Sequence, residues 1–182
     1  LNASGNAGSV RLLSAVGNAT TLANLTLNAR TIALDGSNVT TTGNQSYTGA
    51  ITLGAGTTLT GSNVTTTSGS TIAGAGNSLG VLGNASIAGD VSNVTTVNVS
   101  GTTRLAANIS STANQTYAGA ITLGSDATVL TNGSSSVITT TSTVNSDGTA
   151  RALTLNASGA TGKVVVASAM GNSAALNQLA IN

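Results

Sequence analysis

The chain has 182 residues, a formal net charge of +1 and only 5% charged residues, against about 25% in a typical soluble domain. Its five basic residues are scattered, so nothing in the charge pattern indicates a nucleic-acid partner. Pro, Cys, His, Trp, Phe and Glu are absent, while hydrophobic residues reach 40% and Thr, Val and Ile recur throughout. Disordered chains combine low hydrophobicity with high charge, so this composition favours β-strands over disorder.

Short segments in which large apolar residues stand two apart recur along the chain and predict strands. Such alternation places the aliphatic side chains on one face and Thr, Asn or Ala on the other. Clusters of Gly, Asn, Asp and Ser separate these segments and predict turns. No helical periodicity is sustained, and no apolar run approaches the roughly 18 residues of a membrane-spanning helix. In chain order the predicted strands include residues 25–27, 32–34, 51–53, 97–99, 153–155 and 179–181.

A long internal repeat organises the sequence. Residues 1–28 and 155–182 align without a gap, and 14 of these 28 positions are identical. The offset between the two copies is 155 − 1 = 154. A fixed period of this kind is typical of repeat architectures. We therefore read residues 1–182 as a single segment that contains one repeat (1–154) and the start of the next (155–182).

Shorter echoes lie inside the long repeat. NQSYTGAITLG at 44–54 returns as NQTYAGAITLG at 114–124, an offset of 70, and SNVTTT at 37–42 returns at 62–67 and, as SNVTTV, at 92–97. These spacings predict turns of roughly 20–25 residues, or about seven turns per long repeat. Short strands at such intervals are also compatible with a β-sandwich. The repeats favour an all-β solenoid, in which similar residues of successive turns stack on one another.

The same echoes carry a resemblance to a known family. The segments at 43–67 and 113–130 resemble repeats of filamentous-haemagglutinin-like and high-molecular-weight bacterial adhesins that are exported by two-partner secretion. The resemblance implies a right-handed parallel β-helix, an extracellular location on the bacterial surface or in a secreted matrix, and a role in adhesion, biofilm or fibre formation. Its implied partners are further copies of the repeat, neighbouring fibres or a cell-surface receptor. No receptor-binding residue is implied, because no receptor motif is matched.

The resemblance and the repeats together predict a structural shaft segment of a long secreted fibre. The alternative is a self-assembling matrix filament whose subunits stack end to end. A third hypothesis, ice binding, comes from the Thr runs at 40–42, 65–67 and 139–141. An enzyme is disfavoured, because the only carboxylates are four Asp residues and the pair most compatible with adjacent turns, Asp126 and Asp147, has no Glu, His or nearby Arg. Neither a cofactor nor a metal site is predicted.

The tripeptide Asn-x-Ser/Thr is the most frequent local motif. It is the acceptor sequence for glycans in secreted proteins, although repeats that copy one turn also multiply it. We predict these asparagines as candidate glycosylation sites, with glycans as candidate partners. They are Asn2, Asn18, Asn24, Asn38, Asn44, Asn63, Asn84, Asn93, Asn98, Asn108, Asn114, Asn132 and Asn156.

Overall fold

A computed structural model describes residues 1–3, 8–36 and 38–182. Residues 4–7 of the long repeat and Ser37, which opens the first SNVTTT echo, lie outside the described residues. The described residues form twenty strands and no helix, so none of them belongs to a helix that could cross a membrane. In chain order the strands are β1 Asn2–Ala3, β2 Ser9–Leu12, β3 Leu25–Leu34, β4 Asn38–Thr40, β5 Asn44–Leu53, β6 Thr57–Thr66, β7 Thr71–Ala73, β8 Leu79–Ile87, β9 Val91–Val94, β10 Val97–Val99, β11 Thr103–Leu105, β12 Ile109–Ser111, β13 Gln115–Tyr117, β14 Ile121–Leu123, β15 Ala127–Thr131, β16 Val137–Thr140, β17 Val144–Ser146, β18 Arg151–Ala157, β19 Lys163–Val166 and β20 Leu176–Ile181.

The strands pair in parallel and wind into a solenoid with three sides, which confirms the predicted fold class. The chain passes the sides in the order A, B, C and then returns to A one layer further on. The longest strands turn a corner and belong to two sides, with a register shift at the bend. Side A holds β2, β7, β9, β12, β15, β18, β20 and residues 31–34 and 50–53. Side B holds β4, β10, β13, β16, β19 and residues 57–60 and 79–82. Side C holds β11, β14, β17 and residues 25–28, 44–47, 63–66 and 84–87.

An unbroken column of aliphatic side chains runs the length of side A. Each member lies directly over the next, so the column spans nine layers and eight turns. The shortest turn leads from Val91 to Ile109 (109 − 91 = 18), and the turn from Val129 to Leu155 is among the longest (155 − 129 = 26). The observed turn lengths thus bracket the predicted ones. The column consists of Val10, Ile32, Ile51, Ile72, Val91, Ile109, Val129, Leu155 and Ile181.

Sides B and C complete the core with columns of their own. On side B, Val39, Leu59, Val81 and Val99 stack in consecutive layers. Along each strand, the residues that alternate with the inward ones face solvent. In the strand at 121–123, for example, the central Thr is exposed and both of its neighbours are buried. The period of two that predicted the strands therefore also separates the interior of the solenoid from its surface.

The short echoes do not return to the same side of the solenoid. The valine of the SNVTTT echo lies on side B as Val39, on side C as Val64 and on side A as Val94. Successive copies of this echo are therefore separated by one full turn plus one side. The offset between copies does not give the length of a single turn. Likewise Gln45 lies on side C and its counterpart Gln115 on side B, so the longer echo spans three turns and two sides.

We expect the buried side A column to contribute strongly to stability. Ile109 is fully buried in the middle of the column, so Ile109→Ala should lower the free energy of unfolding by about 2–5 kcal/mol through lost contacts and a residual cavity. Ser110, its half-buried neighbour on the outer face, is the matched control, and Ser110→Ala should change stability by less than about 0.5 kcal/mol. Urea unfolding followed by circular dichroism measures both. Equal effects of the two substitutions would contradict the assignment of inner and outer faces.

Candidate functional site

The thirteen predicted glycosylation sites lie on the outside of the solenoid. Twelve of these asparagines are exposed, and Asn156 is half-buried. Asn93 also adopts a left-handed backbone with φ of 51°, a conformation in which Asn is enriched among non-glycine residues. The structure therefore leaves the motif accessible at twelve positions, and whether any of them carries a sugar stays a prediction.

Four of these asparagines stack at the corner between sides B and C and form a ladder. The Asn24 side-chain oxygen accepts from the Asn44 backbone N–H at 2.7 Å. Nδ2 of Asn63 donates to Oδ1 of Asn44 at 2.9 Å, and Nδ2 of Asn84 donates to Oδ1 of Asn63 at 3.2 Å. The ladder ends on Thr102, whose backbone N–H and hydroxyl both donate to Oδ1 of Asn84 at 2.9 Å. In Asn63 and Asn84 the nitrogen that would carry a glycan is thus a hydrogen-bond donor within the ladder.

Glycines make the close approach at this corner possible. Three glycines occupy successive layers at this corner: Gly61 shortly before Asn63, Gly83 before Asn84 and Gly101 before Thr102. A Cβ on Gly83 would lie 1.8 Å from the carbonyl oxygen of Gly61, and Gly83 has φ of +139°. Because no other residue avoids both conflicts, a glycine is required at position 83 for the adjacent layers to pair beside the ladder.

Two further candidate asparagines bridge layers with their oxygens. Oδ1 of Asn108 accepts from the backbone N–H of Thr128, and Oδ1 of Asn114 accepts from that of Val137, both at 2.9 Å. Each side chain satisfies an amide at the start of a strand in the following turn. A structural role for part of the motif is therefore visible in the hydrogen bonds, in addition to its predicted role as a glycan acceptor.

The structure separates the three Thr runs that suggested ice binding. The run at 40–42 lies at the end of side B, the run at 65–67 on side C, and the run at 139–141 on side B five layers from the first. The middle residue of each run, Thr41, Thr66 or Thr140, is buried. The runs therefore do not combine into one flat array of exposed hydroxyls.

Asp147 forms ion pairs at the corner between sides C and A. Asp147 lies 3.2 Å from Nε of Arg151 and 3.7 Å from the guanidinium of Arg104, which comes from two layers away. The hydrogen bond from Arg151 lowers the pKa of Asp147 below its ordinary value. Asp126 follows the preceding side C strand at the same corner, and its Oδ1 accepts from the backbone N–H of Ala152 at 2.9 Å.

Asp126 and Asp147 follow paired strands on adjacent turns. The prediction that no Arg lies near them was wrong, because Arg104 and Arg151 both pair with Asp147. Arg104 and Asp147 are far apart along the chain (147 − 104 = 43), and only the register brings them together. Gly124 lies between them, and a Cβ there would come within 2.5 Å of the Arg104 guanidinium. No group of three or more His, Cys, Asp or Glu side chains with the geometry of a metal site occurs among the described residues.

Two buried glutamine–tyrosine pairs come from the NQSYTGAITLG and NQTYAGAITLG echoes. The hydroxyl of Tyr47 donates to Oε1 of Gln45 at 2.7 Å, and Nε2 of Gln45 donates to the carbonyl of Thr60 at 2.8 Å. Tyr117 and Gln115 form the same pair at 2.7 Å. All four side chains are fully buried, so the tyrosines belong to the core and are not surface contacts.

The two ends of the solenoid expose apolar side chains and strand edges. Six of the seven exposed large hydrophobic residues of the described chain lie on the first or last turn, and Leu82 on side B is the exception. β1 and β2 pair only with β3, and β20 pairs only with β18. Such unpaired edges are templates for further strands. The six are Leu1, Leu13, Leu22, Val166, Leu179 and Ile181.

Comparison with protein-family models, with curated proteins and with solved structures finds no match to this chain. The resemblance to filamentous-haemagglutinin-like adhesins therefore stays a prediction from the repeats.

The buried tyrosines predict an alkaline limit to stability. Burial raises the pKa of both phenols above the ordinary value of 10.0, so their contribution is complete below about pH 10 and is lost as the pH rises further. At about pH 11 free tyrosine is about nine-tenths ionised, whereas the folded protein should show almost no phenolate absorbance. The same chain in denaturant at that pH is the control and should show two phenolates. Ionisation of the folded protein near pH 10 would contradict the burial.

Glycosylation is tested on native material from the producing organism. Peptides that carry a glycan should exceed the mass of their bare sequence, and peptide mapping should place the sugars on the thirteen predicted asparagines. We expect the lowest occupancy at Asn63 and Asn84, because their amide nitrogens donate within the ladder. Asn172 is exposed but lacks Ser or Thr two residues on, so it is the internal control. A mass equal to the bare polypeptide would refute the hypothesis.

Proposed function

We propose that this chain is a shaft segment of a long secreted bacterial surface fibre. The observation that carries the proposal is the continuous parallel sheet, in which each described turn stacks on the next around one shared core. In this function the solenoid supplies length and a repeated surface, and the chemistry of adhesion belongs to the whole fibre.

The continuous core supports a mechanical role. Every turn of the described chain is joined to the next by parallel strand pairing, and the side A column crosses all nine layers. Solenoids of this kind are stabilised by interfaces between neighbouring turns, so adding turns extends the structure without changing its cross-section. At the usual spacing between strands, eight turns give a length of about 38 Å.

The proposed location is extracellular, on the bacterial surface or in its matrix, with a role in adhesion or biofilm formation. The resemblance of the repeats supports this location, as does the exposure of twelve candidate glycan acceptors. Further copies of the repeat are the proposed partners, together with neighbouring fibres or a cell-surface receptor. Low charge supports lateral association of fibres, since little repulsion opposes it.

A filament of stacked subunits is the second candidate, because the parallel stacking of turns can also continue between separate chains. The two candidates differ in covalent connectivity, because a shaft is one long chain and a stacked filament is many short ones. A denaturing gel of native fibres separates them: a very large band supports the shaft, and a band near 17.3 kDa supports stacked subunits.

The open ends predict that the isolated 182-residue chain associates end to end. Ile181→Asp puts a charge on the apolar end and should reduce association at least tenfold, as measured by analytical ultracentrifugation. Leu82→Asp is the matched control, because Leu82 and Ile181 are both 51% exposed but Leu82 lies on the outer face of side B. Circular dichroism should show an intact sheet in both variants. A monomeric parent chain, or equal loss in the two variants, would contradict association through the ends.

A further inference from the structure

We infer that the next copy of the repeat docks on the last turn of this chain after a rotation of one third of a turn about the solenoid axis. The inference rests on the proposed function and specifies how successive repeats are joined. Its occupant is a second copy of this repeat, which contributes the segment equivalent to residues 29–53. Each copy would then present its surface in a different direction from the copy before it.

Equivalent residues of the two repeat copies occupy different sides of the solenoid. Val10 lies on side A, where it pairs with Ile32. Its equivalent in the second copy, Val164, lies on side B, where it pairs with Ile138. The long repeat therefore does not return to its starting side.

Two further pairs shift by one side in the same direction. Val16 bridges to Val39 on side B, while its equivalent Met170 bridges to Val144 on side C. Leu27 pairs with Tyr47 on side C, while its equivalent Ile181 pairs with Leu155 on side A. The shifts A to B, B to C and C to A agree, so the repeat as a whole has turned by one side.

The shift follows from the number of sides in one repeat. Seven full turns lead along side A from Val10 to Leu155, and one more side leads to Val164 on side B. One repeat is therefore 7 × 3 + 1 = 22 sides, and the mean length of a side along the sequence is 154/22 = 7. The axial rise per repeat is about 35 Å at the usual strand spacing. Three repeats complete 22 whole turns and return a surface feature to its first direction.

The beginning of the second copy already repeats the hydrogen bonding of the first. The backbone N–H of Asn28 donates to the carbonyl of Leu1 at 3.1 Å. Their equivalents, Asn182 and Leu155, form the same bond at 2.9 Å. The turn 155–182 thus closes on the chain as the turn 1–28 does.

The surface that the last turn offers is one that this chain elsewhere covers. Leu25 and Leu27 are 9% and 0% exposed, because residues 44–47 of the next layer pair with them. Their equivalents on the last turn, Leu179 and Ile181, are 42% and 51% exposed. A copy of the segment 29–53 placed over Leu179 and Ile181 would bury them as it buries Leu25 and Leu27 here. The occupant is therefore argued from an interface that the structure contains.

A tandem protein tests the rotation. In it, one repeat, 1–154, is joined to the full chain, 1–182, so that two complete copies and the start of a third follow one another. Ser68 is exposed in a turn and the chain has no Cys, so Ser68→Cys in both copies allows two labels of streptavidin or gold to be placed. Electron microscopy then measures the angle and axial distance between the labels. We expect one third of a turn and about 35 Å.

The control is the single chain labelled at Ser68→Cys and Thr149→Cys. Both positions lie at the corner between sides C and A, and they are four layers apart. Its labels should lie on one side, separated by about 19 Å. In the tandem protein, labels on one side of a straight particle would overturn the rotation but leave the shaft standing. Two solenoids that are not coaxial would overturn both.

Discussion

Every inward side chain of this solenoid must fit between the side chains directly above and below it, and the rest of the structure depends on that constraint. Parallel strands hold successive layers about 4.8 Å apart, so each inward side chain packs directly against its counterparts in the adjacent layers. The side A column meets the requirement with Val, Ile and Leu alone. Tyr47 and Tyr117 are accommodated because each donates its phenol hydrogen bond to the side-chain oxygen of a Gln two residues earlier.

The same stacking explains why charge is scarce. Identical charges in adjacent layers would face each other across a single strand spacing, which is destabilising. The ion pairs of Arg11 with Asp35 and of Arg104 with Asp147 each join different layers, so every charge in these pairs faces its opposite. Glycines admit these long side chains: a Cβ on Gly54 would lie 2.1 Å from a carboxylate oxygen of Asp35.

The fold was predictable from the sequence because two signals can be seen without knowing which strands pair. Apolar and polar residues alternate within each strand, and similar segments repeat along the chain. Strands such as 51–53 and 97–99 follow directly from a period of two. The assignment of sides was not predictable from the echo offsets, since each step of the SNVTTT echo adds one side to one turn. The Asp147 cluster and the burial of Thr140 depend on which residues face each other across layers, and that information enters only with the pairing.

The three sides are interchangeable, and this property connects the fold to the history of the sequence. A strand followed by a corner can be copied onto any side, because each side asks for the same alternation and a similar turn. The SNVTTT echo occupies all three sides with its valine buried each time. A duplication therefore keeps the core intact when it copies a whole number of sides, even if it does not copy a whole number of turns. This allows three times as many repeat lengths as a requirement for whole turns. A repeat of 22 sides is as compatible with the core as one of 21 or 24, but it rotates the surface. In the proposed fibre, such a length would distribute one set of surface residues around the axis without a change in sequence.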